Sequence, residues 1–202
     1  MNVIIWGGFL GSGKTSLLLP FAKLLTGRES PGKTSLVIIE NEIGQVGIDD
    51  KVLKAEGLSV QELFAGCVCC QLSTSLIACL NEVAEKINPR WVIIEATGVA
   101  LPENIVETLA RYGKGIAKLI TVVIVDARRW KELSAVLPAL VEKQVSSADV
   151  VLINKIDLVG DAELESVEAS VRKLNSRALL HRVSARVGVS LHIWDEVMGE
   201  IE

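Results

Sequence analysis

The 202-residue sequence predicts a three-layer α/β fold, a mainly parallel sheet with helices on both faces. Three observations carry this expectation. Short runs rich in Val and Ile recur at residues 3–6, 36–39, 91–94, 119–125 and 150–153. Segments with apolar residues at helical spacing lie between most of them, which is the pattern of right-handed βαβ units. Half of all residues are hydrophobic and the mean hydropathy is +0.40, as expected of strands buried on both faces. A chain of this length buries roughly 70% of its unfolded surface around one core, so a single domain over 1–202 is expected.

The first strand, Val3-Ile4-Ile5-Trp6, runs directly into Gly7-Gly8-Phe9-Leu10-Gly11-Ser12-Gly13-Lys14-Thr15-Ser16. Gly8, Gly13, Lys14 and Thr15 fill the spacing G-x-x-x-x-G-K-[ST], a phosphate-binding loop. A polyphosphate must be wrapped by backbone N–H groups at a helix start, and a chain without β-carbons approaches it most closely. Gly8, Gly11, Ser12, Gly13 and Ser16 are the residues expected in that wrap. Lys14 adds a point charge for the β- and γ-phosphates, and the Thr15 hydroxyl is placed to ligate the Mg²⁺ that accompanies them. The helix opens at Leu17-Leu18-Leu19. The fold class is therefore narrowed to a P-loop NTPase.

Further along, a shorter β-like stretch at residues 58–64 interrupts the simple alternation. A helix follows with Leu72, Leu76, Leu80, Val83 and Ile87 on one face, and Cys79 falls in that stripe as a small core residue. The strand at 91–94 ends in Glu95-Ala96-Thr97-Gly98. A carboxylate there holds a Mg²⁺-bound water or polarises the attacking water, and Gly98 leaves its N–H free near a γ-phosphate. After Asp126 the chain starts a helix, breaks near Leu137-Pro138 because proline cannot continue the ladder, and resumes to about Ser147. Arg128-Arg129-Trp130-Lys131 reads as the solvated start of that helix.

The strand at 150–153 is followed by Asn154-Lys155-Ile156-Asp157. Its terminal carboxylate accepts two hydrogen bonds from guanine, at N1–H and the 2-amino group, whereas adenine offers neither donor. An unpaired buried polar group costs roughly 1–3 kcal/mol, so Asp157 selects guanine and rejects adenine. Lys155 would lay its methylene stem along the base and Asn154 would tie the loop down. Ser184-Ala185, after the apolar-rich stretch at 178–183, is a candidate to add a backbone N–H to the guanine O6. Leu191, Ile193, Trp194, Val197, Met198 and Ile201 form a closing amphipathic helix.

Acids exceed bases by 25 to 21, which gives nucleic-acid binding little support. No apolar run reaches the ~18 residues of a membrane span, and the N-terminus lacks a basic segment before a cleavable apolar one, so the expected location is the cytoplasm. Three of the four cysteines fall within four positions, in Gly66-Cys67-Val68-Cys69-Cys70. In a cytosolic chain this points to metal or redox chemistry rather than disulfides. Thiolates are soft donors that favour Zn²⁺, Cu⁺ or Ni²⁺. A closed structural zinc site usually takes four protein ligands, so an open, transferable site is the leading reading, beside structural metal, redox thiols and plain buried cysteines. His181 and His192 read as isolated packing or surface residues.

The phosphate loop, Ile39-Glu40-Asn41-Glu42-Ile43-Gly44-Gln45-Val46-Gly47-Ile48-Asp49, the cysteine run, Ile93-Ile94-Glu95-Ala96-Thr97-Gly98 and Asn154-Lys155-Ile156-Asp157 stand in that order. Together they resemble the CobW family of P-loop GTPases, relatives of the urease and hydrogenase nickel-insertion GTPases. The resemblance implies a slow GTPase (GTP to GDP and phosphate) that acts as a metallochaperone or metal-insertion factor gated by nucleotide. It implies Zn²⁺, or Co²⁺ or Ni²⁺, at Cys67, Cys69 and Cys70 with Glu40 and Glu42 nearby. It also implies Asp49 at Mg²⁺ or its water, sharing catalysis with Lys14 and Glu95. A client metalloprotein and a nucleotide-dependent homodimer are further implied partners; nucleic acid and membrane are not. Gln45 stands where members usually carry another acid. The C-terminal domain common in the family is expected to be absent, as the sequence stops at Glu202. The alternatives are a nucleotide-dependent sensor or reactivating partner of a metalloenzyme or corrinoid protein, and a P-loop small-molecule kinase, which would need an arginine-rich lid.

Overall fold

The computed structural model describes residues 1–27, 36–40 and 72–201. The β-like stretch expected at 58–64 lies outside them. The strands are β1 (Asn2–Gly8), β2 (Leu36–Glu40), β3 (Trp91–Glu95), β4 (Lys118–Asp126), β5 (Val150–Asn154) and β6 (Leu179–Arg182). The helices are α1 (Lys14–Gly27), α2 (Leu72–Lys86), α3 (Pro102–Tyr112), α4 (Trp130–Val136), α5 (Pro138–Ser146), α6 (Asp161–Leu174) and α7 (Leu191–Ile201), with a 3₁₀ turn at Ile156–Leu158.

The six strands form one sheet in the order β2-β3-β1-β4-β5-β6, and every pairing is parallel. β1 lies between β3 and β4, so the chain leaves it towards one side of the sheet and later returns to the other. In an open parallel sheet that reversal opens a crevice at the carboxyl end of the central strand, where the phosphate loop stands.

Alternation along the strands sorts the core into two faces. Ile4 and Trp6 of β1, Ile93 of β3, Val122 of β4 and Leu152 of β5 point to the face covered by α1 and α7. There Phe21 stacks on Trp6 with ring centres 5.5 Å apart and meets Trp194 of α7 at 5.1 Å. On the opposite face Val3, Ile5, Val92 and Ile94 meet Leu80 and Val83 of α2 and Leu109 of α3. Val123, Val125, Val151 and Ile153 meet Trp130, Leu133, Val145, Val167 and Val171 of α4, α5 and α6. Cys79, half-buried on α2, packs against the edge of this core, and burial pushes its thiol pKa up.

Local chemistry explains the helix ends. Pro138 both stops α4 and opens α5, since a proline at the first helical position loses no hydrogen bond. α6 carries Asp161 and Glu163 in its first turn and Arg172 and Lys173 in its last, complementing the helix dipole. Trp130 is buried at the start of α4 while Arg128 and Arg129 remain exposed before it. No helix among the described residues is long and apolar enough to cross a membrane.

The two histidines are not isolated from one another. His181 Nε2 on β6 and His192 Nε2 on α7 lie 3.3 Å and 3.5 Å from the two carboxylate oxygens of Glu196. Burial pushes the His181 pKa below its ordinary value; Glu196 opposes the shift, and His192 and Arg172 reinforce it. A neutral imidazole is thus favoured in the fold, while the unfolded chain takes up the proton more readily near pH 6.5. The stability it contributes is present above that pH and is lost as pH falls. Thermal unfolding between about pH 7 and pH 5 is expected to show a steeper loss for wild type than for His181→Gln; parallel profiles would remove this account.

Candidate functional site

The loop between β1 and α1 is shaped by glycine. Gly8 and Gly13 have φ of 135° and 96°, in the region that side chains rarely adopt. A β-carbon at Gly8 would strike the Ile124 carbonyl, and one at Gly13 would strike the Asn154 carboxamide.

Five consecutive carbonyls of this loop are each met by a side-chain donor. Lys14 Nζ donates to Gly8 O and Phe9 O at 3.1 and 3.3 Å. Arg129 Nη1 donates to Leu10 O at 3.4 Å, Lys155 Nζ to Gly11 O, and Asn154 Nδ2 to Ser12 O at 2.8 Å. Trp6 Nε1, from the buried face of β1, fixes Lys14 O at 2.9 Å. Ser12 N closes a turn inside the loop by donating to Phe9 O at 3.1 Å, and carbonyls held in this way are compatible with an anion nest built from the remaining N–H groups.

Glu95 closes β3, in register with Trp6 of β1 on one side and with Glu40 of β2 on the other. Thr15 Oγ1, in the first turn of α1, donates to Glu95 Oε1 at 3.1 Å. A hydroxyl and a carboxylate this close form a hard-oxygen pair, which suits Mg²⁺. Three residues on, Gly98 lies against the loop: a β-carbon there would stand 2.6 Å from Leu10 N. The buried Gln144 of α5 donates to Gly98 O at 3.2 Å and Ala100 O at 2.9 Å, so the segment after Glu95 is held from behind.

On the other flank a pocket of about 310 Å³ is bounded by Gly13, Asn154, Lys155, Asp157, Ala185 and Arg186. Lys155 has φ of 65°, a left-handed conformation costly for a lysine and of the kind that clusters at functional sites. It places Asp157 in the 3₁₀ turn, where Ser184 Oγ donates to Asp157 Oδ1 at 2.5 Å. Asn154 joins both sides: its Nδ2 holds the phosphate loop and its Oδ1 accepts from Ala185 N at 2.9 Å.

The fold thus gathers Gly8, Gly11, Ser12, Gly13, Lys14, Thr15, Ser16, Glu95, Gly98, Asn154, Lys155, Asp157, Ser184 and Ala185 at the carboxyl edge of the sheet. The backbone of Glu40 ends β2 beside Glu95. Glu42, Gln45, Asp49, Cys67, Cys69 and Cys70 lie outside the described residues. Among the described residues no group of three or more His, Cys, Asp or Glu side chains is arranged to hold a metal ion.

Three contributors escaped the sequence reading. Asp126 ends β4 as Glu95 ends β3, a usable signal. The Ser184 hydroxyl, rather than the adjoining backbone alone, holds Asp157. Gln144 gave no signal, being one polar residue on an apolar helix face. The Gly98 approach generates a direct expectation. Gly98→Ala forces a methyl into backbone at a position without positive φ and should lower unfolding stability by about 1–3 kcal/mol in urea titration; an unchanged midpoint would show that the loop yields freely.

Residues 2–182 match the family model described as the CobW/HypB/UreG nucleotide-binding domain. The chain is 28% identical over 190 residues to the zinc chaperone YjiA of Escherichia coli, an alignment covering 90% of this chain and 57% of YjiA. The crystal structure of Zn(II)-bound YjiA GTPase from E. coli superposes with a TM-score of 0.63 at 26% identity, covering 91% of this chain and 57% of that one. The hydrogenase maturation factor HypB from Archaeoglobus fulgidus shares the fold with a TM-score of 0.69 at 17% identity, covering 100% of this chain and 91% of that one. The chain spans about half the length of the curated relatives it matches.

Proposed function

Since the chain belongs to the CobW/HypB/UreG nucleotide-binding family, we propose that it binds and slowly hydrolyses GTP and couples the nucleotide state to a transition-metal ion carried at Cys67, Cys69 and Cys70. The observation that carries the nucleotide half is the direct connection of the phosphate loop to the Asp157 pocket, bridged by Asn154 and Lys155.

In this reading the N–H groups of Gly8, Gly11, Gly13 and Ser16 and the Lys14 ammonium receive the phosphates, Ser12 lines the loop while its N–H donates to Phe9 O at 3.1 Å, and Gly98 N–H stands at the γ-phosphate. Asp157, oriented by Ser184, pairs with guanine N1–H and the 2-amino group, and the Lys155 stem lies on the base. The Ala185 N–H, which donates to Asn154 Oδ1 at 2.9 Å, would pass to the guanine O6 when the base enters the pocket it borders. Thr15, Glu95 and Asp49 would hold Mg²⁺, which supplies neutralisation of the charge on the β- and γ-oxygens when bound. Glu95 or Asp49 orients a water for attack on the γ-phosphorus, and the bond to the β–γ bridging oxygen breaks. Turnover is slow because no arginine is assigned to the transition-state charge.

The metal half rests on the donor set and on the zinc-chaperone names of relatives such as YjiA. Zn²⁺ is the proposed cargo, with Co²⁺ or Ni²⁺ as alternatives, and Glu40 and Glu42 would add carboxylates to the thiolate donor set. The cysteines lie in sequence between the Glu40–Asp49 segment and Glu95, so loss of the γ-phosphate would be felt at the thiolates and release the ion to a client metalloprotein. A nucleotide-dependent homodimer and a cytoplasmic location complete the proposal.

Calorimetry tests the first half: GDP is expected to bind at least tenfold more tightly than ADP, because adenine has neither of the two donors that Asp157 accepts from guanine and a hydrogen bond to a charged group contributes roughly 1.5–3 kcal/mol. Equal affinities would overturn the guanine assignment. For the second half, Zn²⁺ affinity measured with a non-hydrolysable GTP analogue should differ from that with GDP, and a Cys67→Ser, Cys69→Ser protein should lose the ion. Identical constants in the two nucleotide states would end the gating proposal.

A further inference from the structure

Asp126 is nearly sealed in the protein, yet it is a carboxylate, and burying a charge is costly unless it is paired. Its partners show what it does. Oδ1 accepts from the N–H groups of Arg128 and Arg129 at 3.1 and 3.3 Å, turning the chain out of β4. Oδ2 meets Lys155 Nζ at 2.6 Å, with the Asp126 side chain 2% exposed and that of Lys155 30%. The same ammonium donates to Gly11 O in the phosphate loop, and Arg129, positioned by the Asp126 turn, donates to Leu10 O. β4 and β5 place Asp126 directly beside Asn154 in register, so the carboxylate sits one residue from the side chain it holds.

We infer that Asp126 is a positioning residue for the base: it fixes the Lys155 ammonium between its own carboxylate and Gly11 O, so that the lysine stem is already laid out where a purine ring stacks. The inference rests on the GTP-binding reading above. A free lysine side chain would have to be ordered when nucleotide binds; one pinned at its far end is ordered beforehand, and affinity gains accordingly. Stacking on a methylene stem does not discriminate between purines, so Asp126 sets affinity while Asp157 sets selectivity.

The test uses calorimetry with GDP, IDP, which lacks the 2-amino group, and Mg-pyrophosphate, which lacks the base. Asp126→Asn is expected to weaken GDP roughly tenfold or more, the size of a charge-assisted bond. Pyrophosphate should change less than about twofold and the GDP to IDP ratio should stay at its wild-type value. In a Lys155→Met background the same substitution should cost less than about twofold, because the group it positions is gone. In steady-state hydrolysis KM for GTP should rise with kcat nearly constant. Should Asp126→Asn fail to fold, Asp126→Ser keeps an acceptor for the two N–H groups, removes the charge and carries the same expectations. Equal losses for GDP and pyrophosphate, or equal losses with and without the Lys155 ammonium, would overturn the inference and leave a purely structural carboxylate. Wild type selective for GDP over ADP with an unaffected variant would overturn this inference alone; wild type without that selectivity would overturn the guanine reading along with it.

Discussion

The site depends on keeping the phosphate-loop carbonyls turned away from the face that receives phosphate. A peptide group presents its N–H and its carbonyl in opposite directions, so a loop can gather N–H groups on one side only if its carbonyls find donors on the other. In this chain those donors are side chains, Lys14 from the adjoining start of α1 and, from distant parts of the chain, Arg129 just before α4 and Asn154 and Lys155 at the end of β5. Glycine makes the geometry accessible at Gly8 and Gly13, and the donors then select it.

That arrangement makes the two halves of the site interdependent. The residues that grip the back of the loop, Asn154 and Lys155, also build the wall of the adjoining pocket. On the other flank, Glu95 touches Thr15 and Gly98 presses against Leu10, while Gln144 holds the carbonyls of Gly98 and Ala100. The segment after β3 thus has a defined contact with the loop.

The histidines show how far local reading reaches. Separated by eleven positions, His181 and His192 look unrelated; His192 meets Glu196 one turn along α7, and only the packing of α7 beside β6 brings His181 to the same carboxylate. Asp126 belongs to the same kind of case. Its position at the end of a Val- and Ile-rich strand matches that of Glu95, yet nothing in the local sequence says that its partner lies 29 residues downstream.

The sequence alone determined what is set by periodicity and by short-range geometry. The recurring Val- and Ile-rich runs specified β1 to β5, Pro138 specified the break between two helices, and the spacing of Gly8, Gly13, Lys14 and Thr15 specified the phosphate loop, whereas β6 stood in the sequence only as an apolar-rich stretch. These are decided by dihedral preference and side-chain alternation, which act within a few residues. The tertiary structure decided that the sheet is wholly parallel among the described strands, that β1 is central, that Ser184 holds Asp157, and that Asp126 and Gln144 support the site. Those contacts join residues 27 to 46 positions apart, and hydrogen-bond partners at such separations are chosen by how packed layers bring strand ends together, which no local pattern of residues encodes.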